Sequence, residues 1–144
     1  MTISVIVCAY NEEHYLVPCL QSLQSQSRPP DEIIVIDNAS SDRTGDVARQ
    51  VTGVRVVDEP RKGLVIARER ARQEARGDVL VYVDADCRAP RTWLERIERR
   101  FTGDPNLIAR SGARRSNGLA ASIPRCAPLE FARSTTVSHR IVTS

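Results

Sequence analysis

Val79-Leu80-Val81-Tyr82-Val83-Asp84-Ala85-Asp86 is the stretch that decides the fold of this 144-residue chain. Five consecutive apolar residues rich in valine predict a strand buried on both faces, since a half-exposed strand would alternate apolar and polar residues. Two aspartates follow where the strand ends, and carboxylates so spaced can converge on one divalent cation. Mg²⁺ and Mn²⁺ prefer such oxygen ligands. The alternative is two solvated loop carboxylates, with Asp86 paired to Arg88 or Arg91.

Three more apolar runs, at residues 3–8, 32–37 and 54–57, alternate with helical patterns along the first 110 residues. This alternation predicts an α/β fold in which a mostly parallel sheet is covered by helices on both faces. Asn11 is expected to cap the first helix, with a hydrogen bond to a ligand as the alternative, and Gly77 is expected to end the third helix. The first helix is predicted to bury an apolar stripe of Leu16, Cys19, Leu20 and Leu23. The stripe of the third helix is Val65, Ile66, Ala67, Ala71 and Ala75. That of the fourth helix is Trp93, Leu94, Ile97 and Phe101. A short fifth strand is expected at residues 107–109, and no element is predicted beyond Ser111.

Ligands of open parallel sheets bind beyond the carboxyl ends of the strands. The residues at these ends therefore include candidates for a binding site. Tyr10 can stack on a base, and the Asn38 side-chain amide can hydrogen-bond to a pyrimidine edge. Asp37 can equally brace the turn at residues 40–41. Arg68, near the start of the third helix, can reach a phosphate, or it can pair with the neighbouring Glu69.

The composition excludes several classes of protein. Hydrophobic residues make up 41% and charged residues 27% of the chain, as in ordinary globular domains. Apolar runs such as Val79–Val83 are far shorter than the about 20 residues that a membrane span needs. The N-terminus shows no secretory signal. We therefore expect a cytoplasmic protein without a transmembrane segment, at most peripheral at the inner face of a membrane.

Other binding motifs are also missing from the sequence. It contains neither GxGxxG after the first strand nor a P-loop, which argues against dinucleotide and P-loop nucleotide sites. The basic excess lies in residues 111–144, which hold five arginines and one glutamate, and it forms no aromatic-interleaved face that would indicate nucleic-acid binding. Cys8, Cys19, Cys87 and Cys126 form no CxxC pair, so they are expected to be inert thiols.

Five ordered stretches of the chain resemble family 2 glycosyltransferases of the GT-A fold. They are residues 5–13 (VIVCAYNEE), 20–26 (LQSLQSQ), 33–42 (IIVIDNASSD), 63–68 (GLVIAR) and 77–86 (GDVLVYVDAD). The resemblance covers residues 3 to about 110. It implies a Rossmann-like GT-A domain at residues 1–110 whose C-terminal half is incomplete.

The resemblance also implies roles for individual residues. Ala9, Tyr10 and Glu12 would line the nucleotide pocket, Asn38 and Asp37 would meet the base, Arg68 would lie near the diphosphate, Asp84 would approach the ribose or a metal-bound water, and Asp86 would bind the metal. The implied partners are a UDP-, dTDP- or GDP-linked sugar, an acceptor that is a glycan or a lipid-linked molecule, and Mn²⁺ or Mg²⁺. The implied reaction is an inverting sugar transfer of the kind used in cell-wall or polysaccharide biosynthesis.

No residue matches the catalytic base that the family takes from its acceptor-binding half. The only acids after Asp86 are Glu95, Glu98, Asp104 and Glu130. Residues 111–144 are rich in Arg, Ser and Ala and are predicted to form an irregular basic tail. The chain has 20 arginines and one lysine, which is typical of GC-rich coding DNA. We hypothesise that sequence from about Arg110 onward is out of frame or truncated; the alternative is a genuine divergent or disordered tail.

Two other functions are compatible with parts of this pattern. A catalytically incomplete fragment would bind nucleotide and metal without turnover. A phosphotransferase of the haloacid-dehalogenase type would use Asp84 as nucleophile and Asp86 as acid and base, but that class carries its D-x-D after the first strand.

Overall fold

The computed structural model describes residues 1–103, 107–109, 131–133 and 140–143 of the chain. The elements in these ranges, in chain order, are β1 (Ile3–Ala9), α1 (Leu16–Gln24), β2 (Glu32–Asp37), α2 (Thr44–Arg49), β3 (Val54–Asp58), α3 (Leu64–Glu74), β4 (Val79–Asp84), α4 (Trp93–Gly103), β5 (Leu107–Ala109), β6 (Phe131–Arg133) and β7 (Arg140–Thr143). None of the described helices combines the length and apolar composition that crossing a bilayer requires.

The main sheet has five parallel strands in the order β3-β2-β1-β4-β7. Strands β5 and β6 form a separate antiparallel pair. The strand predicted at residues 107–109 is therefore confirmed, although it lies outside the parallel sheet. Strands β6 and β7 occur beyond Ser111, where no element was expected. Runs of three and four residues are too short to show a periodic pattern, so their pairing partners determine them.

Side chains of the parallel strands alternate between two apolar layers, as the strand repeat requires. Helices α1, α2 and α4 cover one face of the sheet, and α3 covers the other. The chain moves from β1 to β2 and β3 in one direction and returns past β1 to β4. Because parallel crossovers are right-handed, the returning helix lies on the opposite face. The buried residues of α1 and α4 are the two predicted stripes, which are confirmed.

The stripe predicted for α3 is only partly buried. Ala67 and Ala71 are buried under the sheet, whereas the side chain of Val65 is 82% exposed. The two small alanines allow the helix axis to approach the strands closely, whereas Leu64 and Val65 in the first turn remain exposed. The expectation that Val65 belongs to the core is wrong.

Two predicted helix ends are also wrong. Asn11 has a φ of 54°, and α1 begins only at Leu16, so Asn11 does not cap it. Asn11 instead accepts a hydrogen bond on its side-chain oxygen from the Ser41 N–H, at 2.8 Å. The third helix ends at Glu74, and Gly77 lies in a bend three residues beyond it. The Gly77 N–H donates to Ser4 Oγ at 2.9 Å, so the glycine serves a close approach between chains rather than a cap.

Replacing Gly77 with alanine is expected to lower the free energy of unfolding by roughly 1–3 kcal/mol. A Cβ atom at this position would stand 2.6 Å from the backbone nitrogen of Ser4, so the sheet would have to shift. Urea denaturation measures the change. Gly103→Ala is the matched control, because a Cβ there meets nothing within 4 Å among the described residues. Equal stability of the two variants would contradict the close-packing explanation.

Candidate functional site

The carboxyl ends of β1 and β4 form the point where the direction of the sheet connections reverses. β1 is paired with β2 along one edge and with β4 along the other. In the register, Ala9 lies opposite Asp37 and Cys8 lies opposite Asp84. Chains leaving neighbouring strands in opposite directions leave a crevice between them, which is where open α/β sheets bind ligands. The predicted site residues that follow these strands are therefore brought to one edge.

Asp84 and Asp86 lie together at this edge on a tight turn. The Cys87 N–H donates to the Asp84 carbonyl at 3.0 Å and closes the turn. One ligand atom from each of Asp84, Asp86 and Cys87 lies within 4.8 Å of the other two. Two carboxylates fit Mg²⁺ or Mn²⁺, which often complete their shell with water and substrate phosphate. Cys87 is a donor that the D-x-D pattern does not reveal, since a thiol is a softer ligand.

A third carboxylate, that of Glu12, faces the aspartate pair. Partial burial and then the negative charge of Asp86 raise the pKa of Glu12 above its ordinary value. Loss of solvent around the carboxyl group and the charge of Asp86 likewise raise the pKa of Asp84, while Arg68 opposes the shift. Like charges held this close repel one another, so the cluster favours a cation among them.

Arg68 lies beside this cluster and is half-buried on α3. Its guanidinium carbon is 5.8 Å from the centre of the Tyr82 ring. Among the described residues it forms no ion pair, and Glu69 pairs with Arg72 instead, at 2.7 Å. The alternative of an Arg68–Glu69 pair is therefore not what the structure shows. Asp86 is likewise unpaired with Arg88 or Arg91 in the described part of the chain.

Asn38 and Asp37, at the end of β2, hold the surrounding loops. Asn38 is buried, and its side-chain amide donates to the carbonyls of Glu59 and Arg61, at 3.3 and 2.7 Å. Its side-chain oxygen accepts from the Gly63 N–H at 2.8 Å. Asp37 accepts from the Ser40 N–H at 3.3 Å, which is the bracing role given as its alternative. Contact of either side chain with a nucleobase stays a prediction.

The loop after β1 supplies the remaining predicted residues. Ala9 is buried and accepts the Asn38 N–H on its carbonyl at 2.9 Å, which ties the ends of β1 and β2 together. The Glu12 N–H donates to Thr44 Oγ1 at 2.8 Å. Tyr10 is 41% exposed, and its hydroxyl oxygen accepts a hydrogen bond from Lys62 at 2.7 Å. Lys62 was not predicted as a site residue, although it is the single lysine of an arginine-rich chain.

Known proteins share the sequence pattern and the fold of this chain. The chain matches the family model of glycosyl transferase family 2 over residues 4–132. It is 33% identical over 101 residues to the glycosyltransferase AglE of Haloferax volcanii. The aligned region covers 65% of this chain and 33% of AglE. It is similar to S. aureus TarS 1-349 in complex with UDP, with a TM-score of 0.70, 25% identity and coverage of 85% of this chain and 38% of that one.

A second solved structure extends the comparison. The mannosyltransferase PcManGT from Pyrobaculum calidifontis, in complex with GDP-Man and Mn²⁺, gives a TM-score of 0.69 and 29% identity over 78% of this chain and 35% of that one. These neighbours confirm the GT-A fold that the resemblance implies. The chain spans about a third of the length of the curated relatives that it matches. The division of the chain at residue 110 stays a prediction, and the family match itself runs on to residue 132.

Replacing Asn38 with alanine is expected to lower the free energy of unfolding by roughly 1–3 kcal/mol, because three hydrogen bonds to the loop at residues 59–63 are lost. Asn38→Asp keeps an acceptor for Gly63 but turns a buried carboxylate oxygen toward the carbonyls of Glu59 and Arg61, so its loss of stability should be at least as large. Denaturant unfolding followed by circular dichroism measures both. An alanine variant as stable as the parent would show that the amide does not hold this loop.

Cys8 and Cys19 are expected to resist alkylation in the folded protein. Burial raises the pKa of Cys8 to about 11 and that of Cys19 to about 12. At pH 8 the thiolate fraction of Cys8 is then only about one in a thousand, and the thiolate is the reactive form. Labelling with iodoacetamide at pH 7 to 9, located by peptide mass spectrometry, measures the rates. Rapid labelling of either thiol in folded protein would contradict the expectation, and labelling in urea provides the control.

Proposed function

This chain belongs to glycosyl transferase family 2, and we propose that it binds the nucleotide-sugar donor of a sugar-transfer reaction at the carboxyl-end edge of its sheet. The observation that carries the proposal is the grouping of Asp84 and Asp86 at the reversal of the sheet connections. Glu12 adds negative charge to this group, and Arg68 adds positive charge beside it. Three carboxylates there favour a cation, and a cation with an arginine beside it favours a diphosphate.

The residues of the edge divide into a base end and a phosphate end. Tyr10 would stack on the base, and Ala9, Asp37 and Asn38 would shape the pocket beneath it. Arg68 would meet the diphosphate and Asp84 the ribose. The UDP of TarS and the GDP-Man of PcManGT support a UDP-, dTDP- or GDP-linked sugar as the donor.

Asp86, with Asp84, would hold the divalent metal. The Mn²⁺ in PcManGT supports Mn²⁺ or Mg²⁺, and the two carboxylates fit either ion. When bound, the ion would supply positive charge that stabilises a departing diphosphate. Arg68 would add a second positive charge from the side of α3.

The proposed reaction inverts the sugar configuration. An acceptor hydroxyl attacks the anomeric carbon as the bond to the nucleotide diphosphate breaks on the opposite side, and a carboxylate base takes the hydroxyl proton. In the described part of the chain that follows Asp86, Glu95 pairs with Arg99 and Glu98 pairs with Arg28, so both carboxylates are already held by arginines. Asp104 and Glu130 lie outside the described residues. The catalytic base is therefore left unassigned.

The acceptor would be a glycan or a lipid-linked molecule of cell-wall or polysaccharide biosynthesis, met in the cytoplasm at the inner membrane face. The second candidate function is a fragment that binds donor and metal without turnover. Among the described residues no carboxylate is assigned as the base, which is why the second candidate is kept for the chain on its own.

Addition of UDP with Mn²⁺ is expected to raise the thermal unfolding midpoint. A ligand at 100 times its Kd stabilises by about 2.7 kcal/mol, which corresponds to roughly 5–10 °C for a domain of this size. Asp86→Asn should remove the Mn²⁺-dependent part of the shift. Asp46→Asn is the control, because Asp46 is exposed on α2 and pairs only weakly with Arg49, at 3.7 Å. An unfolding midpoint that UDP, dTDP and GDP all leave unchanged would contradict the proposal.

Sugar transfer and donor hydrolysis assays on the same material separate the two candidate functions. Release of UDP from a UDP-sugar that depends on Asp86 would establish an enzyme. Binding without release would establish the fragment.

A further inference from the structure

Lys62 lies at the base end of the proposed pocket with its charge uncompensated by any described carboxylate. Its ammonium group donates to the Tyr10 hydroxyl at 2.7 Å and lies 4.0 Å from the centre of the Tyr10 ring. The neighbouring Arg61 is different, since its guanidinium pairs with Glu59 at 2.9 Å. The two adjacent cations thus differ in whether a carboxylate already holds them.

The backbone around Lys62 is held in place from the end of β2. Asn38 accepts the Gly63 N–H and donates to the Arg61 carbonyl, so both neighbours of Lys62 are fixed by one buried amide. Gly63 has a φ of 147°, a conformation that favours glycine and turns the chain directly into α3. Lys62 is therefore presented over Tyr10 by the fold, and not merely by the freedom of a long side chain.

The exposed ring of Tyr10 is the surface on which a nucleobase would stack. The ammonium group already occupies one face of this ring through a cation–π contact, which contributes only about 0.5–1 kcal/mol at an exposed site. A base arriving on that face meets Lys62 first. The four-carbon stem of lysine lets the ammonium group lift from the ring and close over the base at little cost.

The charges of the edge favour such a cation. Glu12, Asp84 and Asp86 make the phosphate end acidic, whereas a nucleoside diphosphate is itself strongly anionic. Lys62 lies in the loop between β3 and α3, and among the described residues no ion pair joins it to Asp84 or Asp86. A mobile ammonium group there adds attraction for the nucleotide without forming an ion pair with the metal-binding carboxylates.

We propose that Lys62 is a nucleotide-binding residue, which leaves the Tyr10 ring when a base stacks there and donates a hydrogen bond to an oxygen of the nucleotide. The proposal rests on the proposed function, because it requires that a nucleoside diphosphate binds at this edge. It deepens that function by adding a residue that closes over the ligand from the loop between β3 and α3. Asn38 then acts as a positioning residue for Lys62.

Isothermal titration of UDP in the presence of Mn²⁺ tests the proposal on the whole chain. Lys62→Gln is expected to weaken UDP binding about tenfold, as loss of one charge-assisted hydrogen bond does. It should also flatten the dependence of affinity on salt concentration. Lys62→Arg should retain most of the affinity. Arg76→Gln is the matched control, since it removes the same charge from an exposed arginine between α3 and β4, at the opposite end of the sheet, and it should change the affinity by less than about twofold.

Titration with uridine shows which part of the nucleotide Lys62 contacts. Weaker uridine binding in Lys62→Gln assigns the contact to the base or ribose, and unchanged uridine binding with weaker UDP binding assigns it to the diphosphate. Affinities for both ligands equal to those of the parent would overturn the Lys62 assignment while leaving the donor site standing. Failure of the parent chain to bind UDP, dTDP or GDP would remove the proposed function and this inference together.

Discussion

Strand β1 must be buried on both faces and paired along both edges, and the rest of the structure follows from that constraint. A parallel strand with two parallel neighbours needs crossovers on either side, and right-handed crossovers in opposite directions place α1 and α3 on opposite faces of the sheet. The loops that leave β1 and β4 must then diverge. The crevice that results is a consequence of chain topology, and Asp84 and Tyr10 lie at it because Asp84 ends β4 and Tyr10 directly follows β1.

The loops around the crevice are held by side chains that the topology brings together. Asn11 accepts from Ser41, and Asn38 binds both sides of Lys62. These side-chain amides hydrogen-bond to backbone groups of neighbouring loops. The bonds hold the loops in place although they contain no helix or strand. The carboxylates do the opposite, because Glu12, Asp84 and Asp86 are held near one another with their charges only partly balanced. The loops thus hold the carboxylates near one another, and a bound cation would reduce the repulsion between them.

Prediction from the sequence succeeds where the physics is local and periodic. The buried strand at residues 79–83 and the stripes of α1 and α4 follow from hydrophobic period alone. Helix ends are less predictable, since Asn11 and Gly77 satisfy the usual residue preferences for caps but serve other loops and strands. Asn11 forms a hydrogen bond with Ser41, thirty residues away, and Gly77 forms one with Ser4, seventy-three residues away. No local window contains either partner.

The sequence by itself determined the α/β alternation, the carboxylate pair after the fourth strand and the family resemblance, because each depends on neighbouring residues or on ordered short blocks. Only the tertiary structure decided which side chains share the crevice. It brought Glu12 to Asp86, placed Cys87 with the aspartates, and set Lys62 over Tyr10. These are contacts between loops of different strands, and they exist only once the strand order is established. Strand order is a property of the folded sheet, and the pattern of any single segment does not contain it.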